Sequence, residues 1–446
     1  MFRKFVFVAL LFVTSSCFAQ LSQSGIIALI GYSEQELVFI TDDINPTTTS
    51  ISLLHETATV VRLFDETLFV LNGDDFLTGE GSGFWFAERT EIQTAVNENR
   101  DVDWNVIDLP DDTNPYDILK VDSLLFISYQ QANSVVVLDM ENGFEIVETF
   151  NGISYPQGLA YNGQFVAVAE SGLGNGNRIF LIDPVSLDTP TAVDVSVNPQ
   201  WLDVDREGNF HTICTGNYVD VFGSAWKLDT TSDPVTTSSL DLDGTPSSIK
   251  IVQNSFGEDI VFTGDEYAFS TPNFYAYKCA DMSVEDSGLS GQSGGWCLTG
   301  NRNKLYIGST MNNTLYHYSL DGFAQPTMMA TLQKEVVSIQ FWQGETSGVD
   351  QGGLASILPK TPQLLSIWPN PFNSTTTVKI KLNSTSGAEL LIYNMLGQKV
   401  QSYDLDSYST GIHQIAINGE DLTSGTYFLT VQSHSGNVSR KITLVK

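Results

Sequence analysis

The chain has 446 residues, more than one hydrophobic core ordinarily uses, and only 16% of them are charged against 42% hydrophobic, which excludes a disordered polymer. Lys and Arg number 21 against 52 Asp and Glu, a formal net charge of −31. That balance excludes nucleic acid and anionic membrane surfaces as partners, because both are bound through clustered cations.

The first segment reads MFRKFVFVALLFVTSSCFAQ. Arg3 and Lys4 precede a short apolar run from Phe5 to Val13, and small residues at Cys17 and Ala19 mark a cleavage site. This predicts a secretory signal peptide over residues 1–19, too short to span a bilayer. Lipidation at Cys17 is the alternative, but Thr14 stands where such signals carry Leu or Val. No other long apolar run follows, so no transmembrane segment is expected. Removal of the signal leaves Cys214, Cys279 and Cys297, whose spacing fits no zinc motif. Cys279 and Cys297 can pair in an oxidising compartment, or all three can be buried apolar residues.

From residue 20 the chain repeats itself. LFVLNGD from Leu68, LLFISYQ from Leu124, FVAVAES from Phe165, FHTICTG from Phe210, IVFTGDE from Ile260 and LYIGSTM from Leu305 are versions of one strand. From the second copy on, a loop and a second strand ending in Asp follow: Asp139, Asp183, Asp229, Asp281 and Asp321. NPYDI, YPQGLAY, NPQWLDV and TPSSIKI precede several copies, and proline suits a strand's first residue. Copies start 41 to 56 residues apart, the period of a propeller blade. No helical period of matching strength is read in the body. The long spacing after Leu68 holds an insertion, Asp74 to Asp101, expected to be a surface excursion.

The two ends of the array complement one another. GIIALIGYS, ELVFITD and SISLLHE read as the second to fourth strands of a blade, and EVVSIQFWQ (Glu335 to Gln343) reads as a lone first strand. Joining them predicts an all-β, seven-bladed β-propeller over residues 20–343, closed by its N- and C-terminal strands. The body resembles seven-bladed YVTN and surface-layer propellers in repeat shape, although that family's repeat tetrapeptide is missing.

A Gly-, Ser- and Pro-containing linker is expected over 344–363, and then five alternating strands predict a small Ig-like β-sandwich over 364–446. From Leu364 onward six cations face five acids, so this module differs sharply in charge from the acidic body. PNPF (Pro369, Asn370, Pro371, Phe372), IYNMLGQKV with Tyr393 and Gly397, LTSGTYFLTV with Gly425 and Tyr427, and a terminal RKITLVK with Lys441 follow in order. Together they resemble the type A C-terminal sorting domain of the type IX secretion system, with Trp368 where Tyr is commoner. The resemblance implies passage through the periplasm, handling by the type IX machinery as a partner, removal of the tail, and a cell-surface or extracellular destination.

In a propeller, the start of each inner strand and the loop after the second strand meet around the axis on one face. Those positions hold Tyr116, Gln157, Gln200 and Trp201, and Glu170, Asn217, Asp265 and Asn312. They suit a glycan, peptide or protein ligand held by stacking and hydrogen bonds. Glu170, Asn217 and Asp265 also offer oxygen to calcium, the one cofactor left open. The expected role is non-catalytic binding. The alternative is a metal-dependent lactonase- or lyase-like hydrolase. Against it, the body has only His55, His211 and His317, and His211 lies within a strand. GQSGG around Ser293 leads into a strand rather than the helix of a nucleophile elbow. DVDREGN (Asp203 to Asn209) has Cys214 where a calcium loop needs Glu, and reads as a hairpin turn.

Overall fold

A computed structural model describes residues 23–343 and 363–446, apart from 33–34, 44, 52, 54–56, 74–80, 233, 266–272, 286–288, 290–294, 302, 322–325, 383–387, 396, 406–407, 409–410, 421 and 434–435. The expected signal peptide, the linker short of Gln363, His55 and Ser293 lie outside the described residues.

The body is built of antiparallel sheets, each from one stretch of chain except the first. Blade 1 has the order Val336–Trp342, Gly25–Ile30, Glu36–Thr41, Thr48–Ile51. Its first strand thus comes from the far end of the body, in the register Ile26 to Phe341 and Ala28 to Ile339. Blade 2 runs Ala58–Phe64, Thr67–Asn72, Gly83–Glu88, Asn105–Asp108. Blade 3 begins at Pro115–Val121, blade 4 at Pro156–Tyr161 and blade 5 at Pro199–Val204, each with four strands. Blade 6, from Ser248–Gln253, has three strands, and a single bridge between Tyr277 and Val284 stands at the fourth position. Blade 7 runs from Cys297–Asn301 to Thr327–Thr331.

Burial explains why these sequences form blades. Second strands such as Leu124–Tyr129 and Phe210–Cys214 are covered on both faces, so they are mostly apolar and even Ser128, His211 and Thr212 within them are buried. Fourth strands such as Thr236–Asp241 are exposed and polar. Apolar clusters sit between blades rather than within them. One joins Phe39 and Trp342 of blade 1 to Val61 and Trp85 of blade 2. Another joins Ile26 and Phe341 of blade 1 to Tyr306 and Leu315 of blade 7. Equivalent clusters fill the junctions from blade 2 through blade 7, so the sheets pack in a closed cycle with no free face. This is a β-propeller.

The expected surface excursion in blade 2 is in part a regular element. Its described portion supplies the third strand and then helix α1, Arg89–Glu98. Ile92 and Ala95 of α1 are buried in the cluster between blades 1 and 2. Asn99, with φ of 51°, ends the helix in the left-handed conformation, and its N–H and that of Arg100 close the last turn. The helix is short and its apolar face narrow, so strand periods hide it. The cysteine pairing left open above does not form: Cys214, Cys279 and Cys297 make no disulfide, and Cys214 and Cys279 are buried.

The tail folds as two sheets around one core. One has the order Gln363–Trp368, Thr375–Leu382, Gly411–Asn418. The other has the order Lys399–Asp404, Glu389–Asn394, Gly425–Ser433, Gly436–Leu444. Val378, Ile380, Ile415 and Ile417 of the first face Leu390, Ile392, Leu429 and Val431 of the second.

Candidate functional site: the axial cavity and the sorting tail

The seven inner strands surround a cavity of about 1180 Å³, lined among others by Arg62, Tyr116, Gln200, Trp201, Lys250 and Trp296. Tyr116 and Trp201 come from blades 3 and 5, which are not adjacent, yet their rings lie 5.3 Å apart at 32°. Gly158 of blade 4 makes this possible. A side chain there would meet the Trp201 ring at 2.7 Å and the Gln200 carbonyl at 2.9 Å. Arg62 of blade 2 completes the group, its guanidinium 5.6 Å from the Trp201 ring centroid.

The cations on the cavity wall are paired with acids. Arg62 meets Asp117 at 2.8 Å, Lys250 meets Asp203 at 2.8 Å, Lys120 meets Asp65 at 2.6 Å, Arg206 meets Asp259 at 2.8 Å, and Arg89 meets Glu66. Two of these acids also tie neighbouring inner strands. Asp117 accepts the Leu159 N–H at 2.9 Å, and Asp203 accepts the Ile251 N–H at 2.8 Å. Burial pushes the Asp117 carboxyl above its ordinary value, opposed by Arg62 and by the two N–H groups it accepts. The lining is therefore aromatic and internally neutralised, inside a strongly acidic chain.

The candidates read from the sequence divide into two groups. Tyr116, Gln200 and Trp201 line the cavity together. Gln157, Glu170, Asn217, Asp265 and Asn312 are engaged within their own blades. Buried Glu170 receives two bonds from Arg178, at 2.7 Å each, and the Ser154 N–H at 3.0 Å. Asn217 accepts the N–H groups of Val219, Asp220 and Val221 and shapes its own loop. Asp265 accepts both the N–H and the hydroxyl of Thr245, at 2.9 and 3.1 Å. Gln157 bonds the Ser171 hydroxyl, and Asn312 bonds the Tyr316 hydroxyl. The oxygens considered for calcium thus face internal donors. Sequence position names the face but not the direction of a side chain. The DVDREGN turn is a hairpin, with Asp205 accepting the Glu207 and Asn209 N–H groups.

In the tail, the sorting residues have distinct jobs. Asn370 accepts the Thr443 N–H at 2.9 Å and donates to the Lys441 carbonyl. Phe372 is buried, and its backbone bonds Thr443 and Val445, so PNPF is stitched to the last strand. Pro369 and Pro371 are exposed beside it. Tyr427 is buried with its hydroxyl on the Thr423 carbonyl at 2.7 Å, while Phe428 is 41% exposed, as strand alternation requires. Tyr393, Phe428 and Lys441 pair in one row across three strands. Gly397, with φ of 74°, forms the turn that Asn394 closes. Gly425 starts the strand that carries Tyr427.

Fold and tail together define a class: a β-propeller cargo on a chain that ends in a secretion address. The family model described as the secretion system C-terminal sorting domain matches residues 366–445. The tail is that domain, of the type IX system, and the chain is exported through the periplasm to the cell surface or the extracellular space. Among solved structures, a candidate 6-phosphogluconolactonase from Bacteroides uniformis is similar at 10% identity and a TM-score of 0.55, over 72% of this chain and 100% of its own. A functionally unknown protein from Desulfotomaculum acetoxidans is similar at 12% identity and a TM-score of 0.50, over 72% and 100%. These likenesses show the propeller fold alone. No curated protein matches the sequence. Among the described residues, no helix is long and apolar enough to cross a membrane.

Proposed function

We propose that the propeller is a non-catalytic binding module, delivered by its tail, whose axial cavity takes a neutral ring-shaped ligand of the glycan class. The observation that carries this reading is the Tyr116–Trp201 pair on a wall whose cations are all engaged by acids. Aromatic faces stack on the apolar faces of sugar rings, and Gln200 beside them, whose amide N–H donates to Asn198 at 2.6 Å, keeps its amide oxygen for a hydroxyl. A charged ligand gains little here, because each wall charge must first leave a partner. The acidic exterior repels polyanions as well. The type IX machinery is the partner of the tail, and the sugar or glycoprotein is the partner of the propeller.

Purified full-length protein on an array of neutral and acidic glycans tests this directly. Neutral glycans should bind wild type, and Trp201→Ala should lose the signal. Retention by polyanions alone would overturn the reading. The lactonase-like alternative draws on the likeness to the Bacteroides uniformis structure, which is a likeness of fold. Hydrolysis of a sugar lactone by the same preparation, abolished by chelator, would favour it.

A further inference from the structure

We propose that Asp205, His211 and Cys279 form a buried three-donor site for a divalent ion of the zinc type, stapling blade 5 to blade 6. Asp205 follows the first strand of blade 5, and His211 lies in its second strand, Phe210–Cys214. Cys279 follows the third strand of blade 6, Asn273–Lys278. Carboxylate oxygen, imidazole nitrogen and thiol sulfur all lie within 4.8 Å of one another, and all three residues are buried. Zinc bonds to such donors are about 2.0–2.3 Å long, so binding draws donors that stand up to 4.8 Å apart closer together around one ion. The mixture of sulfur, nitrogen and oxygen is the donor set zinc takes, and not that of calcium or magnesium.

The surroundings support the site. His211 Nε2 is 3.2 Å from Asp205 Oδ2, the spacing of two ligands on one ion, while Nδ1 is 3.3 Å from the Tyr277 hydroxyl. Tyr277 is thus placed to hold the ring from its other nitrogen, as partners of metal-binding histidines do. Asp205 is oriented by the N–H groups of Glu207 and Asn209 at 3.0 and 2.8 Å, and by the Asn209 side chain. On binding, the Cys279 thiol gives up its proton to solvent, and the neutral imidazole meets the ion through Nε2 with its proton on Nδ1, facing the Tyr277 hydroxyl. The ion's two positive charges then meet one carboxylate and one thiolate, with the Lys227 ammonium 3.9 Å from Asp205 Oδ2 at the edge of the site. Lys227 keeps its bond to the Cys279 carbonyl at 2.8 Å. Burial of all three donors makes loading part of folding.

The test is metal content of the full-length protein refolded with zinc, and the absorption spectrum after refolding with cobalt(II). About one ion per chain is expected, with a thiolate-to-cobalt charge-transfer band in the near ultraviolet. Cys279→Ala should cut bound metal by at least about tenfold and remove the band, and Cys214→Ala should leave both unchanged. Cys279→Ser, closer in shape, repeats the comparison if the alanine variant does not fold. A wild-type chain that binds no ion, or binds cobalt without the thiolate band, overturns the proposal. So does a folded Cys279 variant that retains its metal.

Discussion

The Arg89 guanidinium lies over the indole of Trp342, 4.1 Å from the ring centroid. Arg89 opens helix α1 in the blade 2 insertion, and Trp342 ends the strand that closes blade 1. The same guanidinium donates to the Gln343 carbonyl and pairs with Glu66. The insertion therefore fastens the last turn of the body to its start. A buried cation over an aromatic ring contributes about 2 kcal/mol. Arg89→Met should destabilise the protein by about that much, read by urea denaturation. A change below about 0.5 kcal/mol, the scale of an ordinary surface substitution, would mean the clamp is ornamental.

Acid should weaken the other side of the same blade. Asp42 receives Lys304 at 2.9 Å and the Tyr306 hydroxyl at 2.7 Å, linking blade 1 to blade 7. Burial acts to raise its carboxyl, but hydrogen bonds from His317, Lys304 and Tyr306 and the Lys304 charge outweigh it, holding the pKa at about 2. The folded value is below the unfolded one, so its stability is fully present above about pH 4 and is lost as pH falls towards 2. The contribution is about 2 kcal/mol. Asp42→Asn should be less stable than wild type at pH 6, and the gap should narrow by pH 2.5. A gap independent of pH would contradict this account.

Much of the fold was legible because blade strands are local. Each of the runs at Leu124, Phe165 and Phe210 is mostly apolar since neighbours cover both faces, and proline marks the start of blades 3, 4 and 5. The shared blade was legible from the lone strand at Glu335 and the missing strand before Gly25. Helix α1 was passed over because Ile92, Ala95 and Val96 are few, although their spacing is helical and Asn99 marks the end. The site was half legible. Topology puts Tyr116, Trp201 and Glu170 near one face, but the ion pair with Arg178 at 2.7 Å turns Glu170 inward. The pairing of Asp205 and His211 with Cys279 crosses two blades, so no spacing motif announces it.

Within the tail, Phe372 is a core residue as well as a motif residue. Its removal leaves a void against Gly419 and Leu444, which flank its ring. Phe372→Ala should cost about 3–5 kcal/mol and make the tail protease-sensitive before the propeller. Lys441→Ala, on the exposed row, should leave the fold intact. Equal protease resistance of the Phe372 variant and wild type would contradict this stitching role.

For the cavity, Trp201→Ala and Tyr116→Ala should each weaken glycan affinity by about tenfold or more, roughly 1.4 kcal/mol, by calorimetry. Glu170→Gln should not change affinity, because Glu170 is spent on Arg178 and Ser154. Loss of affinity in Glu170→Gln at unchanged melting temperature would return the site to the loop face.

In this chain a self-closing propeller is the cargo and the tail is its address. Fractionation of the producing cells decides it, with full-length chain beside a chain ending before Pro369. Trp342 and every strand of the closed ring precede that cut. The full chain should reach the surface or medium, while the shortened chain should stay in the periplasm, folded and protease-resistant. Surface delivery of the shortened chain at the full-length level would contradict it.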